Sequence, residues 1–137
     1  MWWTYALLSA LFAALTAVLA KLGIAGVNTD LATAIRTTVI LLVAWGIAIG
    51  RSSLDGLPLL TTRNWTFLVL SGIATGLSWI FYFKALQLGK VSQVAPVDKL
   101  SVAIAILLSV VLLGETLTLK TALGALLIIG GTLVLIL

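Results

Sequence analysis

Residues 91–113 read VSQVAPVDKLSVAIAILLSVVLL, and this stretch decides the fold class. From Leu100 to Leu113 it contains only apolar residues and two serines. A helix needs about 20 mostly apolar residues to cross the roughly 30 Å hydrocarbon core of a bilayer. The run does not alternate apolar and polar residues, as a strand of a membrane barrel would. It therefore predicts a membrane-spanning helix.

Four more apolar runs fill most of the remaining chain. Asn28-Thr29-Asp30, which separates the first two runs, contains residue types that cap helices. The one clear loop, residues 51–58, is rich in charge and turn formers. We predict an all-α membrane protein in which one domain, residues 1–137, contains five spans, at about 3–26, 31–50, 65–88, 91–113 and 119–137.

The composition excludes several classes of protein. The chain is 62% hydrophobic and only 9% charged, too apolar for a soluble globule and for a disordered chain. It has no Cys and no His, and its Ser, Lys and acidic residues show no base–nucleophile spacing, so we expect no enzyme activity, no metal and no cofactor. The eight Lys and Arg residues are scattered singly, which favours membrane lipid rather than nucleic acid as the partner.

The positive charges are nearly balanced across the predicted membrane. If the N-terminal face is called side A, that side carries Arg51, Arg63 and Lys120, and side B carries Lys21, Lys84 and Lys90. The count is three against three, or three against five if Arg36 and Lys99, deeper on side B, are included. Lys and Arg in short loops set orientation, so a balanced count gives a weak signal and permits insertion in both directions.

Several charged residues lie inside the predicted spans, and Arg36, Asp98 and Lys99 are the candidates for a functional site. Arg36 is about 20 Å from side A by helix rise, and Asp98 and Lys99 lie at a similar depth, so we expect Arg36 and Asp98 to approach each other or to share a solute. Such a cluster would attract an anionic substrate group or form a gate. The alternative is snorkelling, with the charged heads in the headgroup layer, which we expect for Lys21, Lys84 and Lys90. Pro96 either opens the fourth span or breaks it beside Asp98.

Three aromatic residues share one face of the third span. Trp79, Tyr82 and Phe83 stand at positions i, i+3 and i+4 and would line a pocket for an apolar or aromatic solute. The same pattern also suits a face that packs against lipid or protein.

An ordered set of short motifs resembles a known repeat. The motifs are Tyr82-Phe83-Lys84-Ala85-Leu86, Val94-Ala95-Pro96, Leu112-Leu113-Gly114-Glu115 and the glycines of the last span. Together with an Arg early in the second span, they resemble the EamA-type repeat of the drug/metabolite transporter superfamily. Most members have two such repeats, ten helices in all, and this chain has one. The resemblance implies a half of an inverted-repeat transporter in a bacterial or archaeal cytoplasmic membrane.

The resemblance also implies a function. We expect a secondary transporter that exports a small metabolite or amphipathic compound by alternating access, as a homodimer of two oppositely oriented copies. The small multidrug exporters of the superfamily are similar in arrangement, but their coupling carboxylate lies in the first helix, which has no acid here. The alternatives are a subunit of a heteromeric carrier for a lipid-linked substrate and a non-transporting membrane scaffold.

Glycines mark two structural features. Gly114 and Glu115 are expected to shape and cap the turn into the last span. Gly124 and Gly131, two helical turns apart, would let two copies of that span approach closely, with Ala125, Ile128 and Thr132 beside them.

Overall fold

The computed structural model describes residues 1–137, all of them helical or in short connections. It contains six α-helices, one 3₁₀ helix and no strand. The α-helices are α1 (Trp2–Gly23), α2 (Thr29–Gly50), α3 (Thr62–Leu88), α4 (Val91–Asp98), α5 (Leu100–Leu113) and α6 (Leu119–Ile136).

Five segments are long and apolar enough to cross a membrane. Four are single helices, and the fourth segment in chain order, Val91–Leu113, consists of α4 and α5. Their mean hydropathies lie between 1.6 and 2.1. The predicted all-α fold with five spanning helices is confirmed. The bounds differ at two ends, because α1 stops at Gly23 rather than near Gly26 and α3 begins at Thr62 rather than near Trp65.

Local capping explains where the helices start and stop. The Asn28 side chain accepts hydrogen bonds from the backbone N–H groups of Asp30 and Leu31, at 2.8 and 3.2 Å, and so begins α2. Gly26, in the turn before it, has a φ of +72°, a conformation that favours glycine. The loop after α2 is partly ordered as the 3₁₀ helix Ser53–Leu59, which contacts α2.

The chain divides into two compact units, residues 19–87 and residues 1–18 with 88–137. In the unit of residues 19–87, the buried side chains come from the turn directly after α1, the start of α2 and the end of α3. They are Ile24, Thr33, Phe83 and Leu86. The core of this unit therefore lies at one end of its helices, where the turn between α1 and α2 meets the end of α3.

In the second unit, α6 contacts both α4 and α5. Thr132 of α6 is buried, with 4% of its surface exposed, and its hydroxyl bonds explain why a polar residue is tolerated there. Most other side chains of both units are apolar and exposed. Such helices, apolar all round, are stable in lipid and would aggregate in water.

Candidate functional site

Arg36 lies inside α2 and is held against two aromatic rings of α3. By helix rise it is about 10 Å from the start of α2 and about 21 Å from its end. Its guanidinium carbon Cζ is 4.5 Å from the centroid of the Trp79 ring and 5.0 Å from that of Phe83. Within the unit of residues 19–87, the guanidinium makes no ion pair and donates no hydrogen bond. The two rings are therefore its main partners there.

The three aromatic residues on this face of α3 differ in their burial. Phe83 is 1% exposed and belongs to the core, so it does not line an open pocket. Trp79 is half-buried under the Arg36 guanidinium. Tyr82 is half-buried, with its ring centroid 6.3 Å from that of Phe83 and the planes tilted by 41°. The prediction that Phe83 lines a pocket is therefore wrong. Phe83 is a core residue that also contacts Arg36.

Two side chains join the C-terminal ends of α1 and α3 reciprocally. The Lys21 ammonium donates to the carbonyl of Leu86, and the Gln87 amide donates to the carbonyl of Val27, at 2.9 Å. The last carbonyls of a helix have no partner within the helix, so the Lys21 ammonium supplies a donor that the end of α3 lacks, and Gln87 bonds in return to the turn between α1 and α2. Lys21 was expected to snorkel into the headgroup layer, and it instead bonds to the backbone of α3. Lys84 and Lys90 are exposed, as snorkelling requires.

The fourth segment is interrupted at Lys99. The backbone N–H of Lys99 is shared between the carbonyls of Ala95 and Pro96, at 3.3 and 3.0 Å, and its own carbonyl accepts from Val102. These contacts tighten the helix into a 3₁₀-type turn, two to three residues after the proline that removes a backbone donor. The Asp98 carboxylate pairs with the neighbouring Lys99 ammonium at 3.1 Å, with 35% and 57% of these side chains exposed. That Arg36 and Asp98 approach each other or share a solute stays a prediction.

Thr132 ties α6 to this interruption. Its hydroxyl is 2.8 Å from the carbonyl of Ile128 in its own helix and 3.2 Å from the carbonyl of Pro96 in α4. The single hydroxyl proton is therefore shared between the two carbonyls. Thr132 was expected beside the glycines on a face between two copies, and this expectation is wrong because Thr132 packs inside its own chain.

The turn into the last helix is shaped mainly by backbone groups. Gly114 ends α5 with a φ of +70°, and the N–H of Glu115 donates to the carbonyl of Ser109 at 3.3 Å. This is the left-handed helix ending that glycine favours. The cap of α6 is Thr118, whose side chain accepts from the N–H of Thr121 at 3.1 Å, so the predicted capping of this helix by Glu115 is wrong.

The two α6 glycines have open surroundings. Gly124 is half-buried and Gly131 is exposed, and a Cβ added at either would meet no atom of the chain within 4 Å. Their use as a contact between copies stays a prediction.

Two residues of this arrangement were missed as site residues by sequence reasoning. The sequence predicts no role for Gln87, and it places Thr132 on the wrong face. A detectable signal existed for Gln87, because an amide one residue before the end of an apolar helix is well placed to bond free carbonyls of a neighbouring helix end.

Comparisons with known proteins agree with this architecture. The model of the EamA-like transporter family matches residues 1–137. A Sinorhizobium sp. protein named "Uncharacterized transporter in cobO 3'region" is 49% identical over 134 residues, which are 98% of this chain and 95% of that protein. No solved structure matches the chain. The five apolar segments and the family match identify the chain as a multi-pass membrane protein that belongs to the EamA-like transporter family.

Proposed function

We propose that this membrane transporter is a secondary transporter of half size, which exports a small metabolite or amphipathic compound by alternating access. Two copies in opposite orientations form the working unit. Export is the direction that the similarity to the small multidrug exporters suggests.

The observation that carries the proposal is the interruption of the fourth membrane-crossing segment beside Asp98 and Lys99. Irregular backbone at membrane depth is tolerated where it is buried in protein or lines a water-filled cavity. Charged groups inside a membrane usually face such a cavity, and secondary transporters bind their solutes at interrupted helices. A scaffold protein needs neither feature.

The number of helices supports assembly from two copies. Five helices with mostly exposed side chains cannot enclose a pathway across the membrane on every side. Five spans also place the two chain ends on opposite faces, so a second copy inserted in the other orientation would supply an inverted partner. The nearly balanced Lys and Arg count of the two sides permits such insertion.

The contact between copies is proposed at the open α6 glycines, Gly124 and Gly131. Close packing rather than hydrophobic exclusion holds helices together in lipid, and glycines allow the backbones to approach. An isologous contact on this face would give the pair two-fold symmetry.

Comparison of exported compounds tests the transport function. Cells that produce the wild-type chain, Asp98→Asn or Asp55→Asn at equal membrane levels are grown in one medium, and small molecules inside and outside are quantified by mass spectrometry. Asp55 lies in the 3₁₀ helix outside the spans, so its variant is the matched control. We expect at least one compound to accumulate outside with the wild type and with Asp55→Asn, and to remain inside with Asp98→Asn. Identical profiles for cells with and without the chain would contradict export.

A further inference from the structure

Arg36 differs from the other cations near it in what holds its charge. Lys21 donates to a backbone carbonyl at the end of α3. The Arg36 guanidinium contacts aromatic rings instead, and within its unit no carboxylate or carbonyl accepts from it. A desolvated charge without such a partner is expensive in a membrane, so the arrangement requires a reason.

The rings also hold the guanidinium away from the membrane surface. Trp79 and Phe83 stand nine and five residues before the end of α3, about 14 and 8 Å by helix rise. An arginine that only avoids lipid would extend its head to the headgroup layer. This one lies between two rings inside the span, and Phe83, which supports it, is fixed in the core. The two rings therefore fix the position of the Arg36 guanidinium within the span.

The chemistry that remains available is specific. A cation–π contact uses the charge of the guanidinium and leaves its five N–H donors available for hydrogen bonds. These donors match the two oxygens of a carboxylate or phosphate in a bidentate pair. Arg36 is half-buried. Every fully buried polar side-chain atom of the structure has a hydrogen-bond partner, so guanidinium nitrogens of Arg36 that lack one are not fully buried and remain accessible to a ligand.

We propose that Arg36 binds the anionic oxygens of a carboxylate or phosphate on the transported compound, with Trp79 and Phe83 as positioning residues. The inference rests on the proposed transport function and assigns its substrate class. The anion comes either from a soluble metabolite or from a lipid headgroup, and the chemistry of recognition is the same for both.

Arginine side-chain NMR tests the proposal directly, because the chain contains only three arginines, Arg36, Arg51 and Arg63. The full chain is labelled with ¹⁵N-arginine in maltoside micelles, and the three Nε–H signals are assigned by single Arg→Lys variants. Sodium acetate and sodium phosphate are titrated against sodium chloride at constant ionic strength, with neutral acetamide as the matched control. We expect the Arg36 signal to shift saturably with acetate or phosphate. The Arg51 signal, from the residue just after α2, and the Arg63 signal, from the second residue of α3, should not saturate, and acetamide should shift none of the three.

Transfer to nanodiscs separates the two sources of the anion. If the soluble anions still shift the Arg36 signal in phosphatidylcholine nanodiscs, the ligand is a soluble anion. A shift produced only by phosphatidylglycerol nanodiscs, and insensitive to added acetate or phosphate, assigns a lipid headgroup phosphate.

An Arg36 signal that responds to no anion, or that moves only in the Asp98→Asn variant, overturns the proposal. In the latter case the partner of Arg36 is the chain's own carboxylate. Neither result alters the export comparison, so the failure of the anion site and the failure of transport are told apart.

Discussion

At the scale of single residues, most threonine hydroxyls of residues 19–87 bond along their own helices, and three other polar side chains make contacts between segments. Lys21 and Gln87 exchange donors between the ends of α1 and α3, and Arg36 crosses from α2 to the rings of α3. Interhelical hydrogen bonds in membranes are worth on average roughly 0.6 kcal/mol, so each contact is modest. These contacts determine which helix faces meet. The apolar residues alone could not do so, because they surround each helix on all sides.

Replacing Gln87 should weaken the joint between α1 and α3. Gln87→Leu removes the amide that donates to the carbonyls of Val27 and Ile24, at 2.9 and 3.5 Å. We expect the free energy of unfolding to fall by about 1 kcal/mol, as for loss of one good neutral hydrogen bond. Reversible unfolding in mixed micelles with increasing dodecyl sulfate measures this.

The chain offers a matched control in its only other glutamine. Gln93 is exposed on α4, and its side chain makes no hydrogen bond. Gln93→Leu should leave the unfolding free energy within about 0.5 kcal/mol of the wild type. Equal losses for the two variants would show that the Gln87 contacts contribute nothing beyond the change in polarity.

At the scale of elements, the fourth segment and α6 act together. The interruption at Lys99 leaves the Pro96 carbonyl to accept from the Lys99 N–H and from the Thr132 hydroxyl of α6. A helix that is tightened in the membrane needs such compensation for its backbone groups. The joint links the charged residues Asp98 and Lys99 to the helix whose glycines are proposed to meet a second copy.

Removing the Thr132 hydroxyl should loosen that joint. Thr132→Val keeps the side-chain shape and leaves the Pro96 carbonyl without its α6 donor, so we expect a loss of about 1 kcal/mol in unfolding free energy. The control is Thr75→Val, since the Thr75 hydroxyl donates only to Ser71 within α3, at 2.8 Å. Backbone hydrogen–deuterium exchange should also become faster at residues 97–102 in the Thr132 variant alone. Unchanged exchange there would mean that α6 does not hold the interruption.

The helices could be predicted from the sequence, but the contacts between them could not. An apolar run long enough to cross the membrane is recognisable in the sequence, and the turn 28–30 was expected to supply the cap of the second helix, which Asn28 does. The contact of Arg36 with Trp79 was not predicted, because it depends on the rotation of α2 against α3, which uniformly apolar helices do not encode. Thr132 was placed on the wrong face for the same reason: glycine spacing marks where a close approach is possible, and the Pro96 carbonyl decides which side of α6 faces inward.

At the scale of the whole molecule, the proposed transport function requires two copies of the chain. The matched relative is covered over 95% of its length by this single repeat, so it too has the size of one five-helix unit. In the proposed assembly a partner completes the pathway, and the inverted copy is the equivalent of a second repeat.

Bulky residues at the α6 glycines should prevent the pairing. We expect Gly124→Leu combined with Gly131→Leu to give monomers in mild detergent by light scattering, with helical content unchanged by circular dichroism, because leucine side chains hold the two backbones apart. Gly46→Leu with Gly72→Leu is the control, since both of those glycines are exposed on α2 and α3 and also have no atom within 4 Å of an added Cβ. A double α6 variant that stays dimeric would place the interface elsewhere.

The most direct test of the central claim is the orientation of the chain in the membrane. The chain has no cysteine, so single cysteines introduced by Ser53→Cys and Leu137→Cys can be labelled without background. Intact cells are treated with a membrane-impermeant maleimide before and after permeabilisation. With copies inserted in both directions, each variant should be labelled in part from outside and in part only after permeabilisation. Labelling of each site from one side alone, and of the two sites from opposite sides, would show a single orientation and contradict the antiparallel pair.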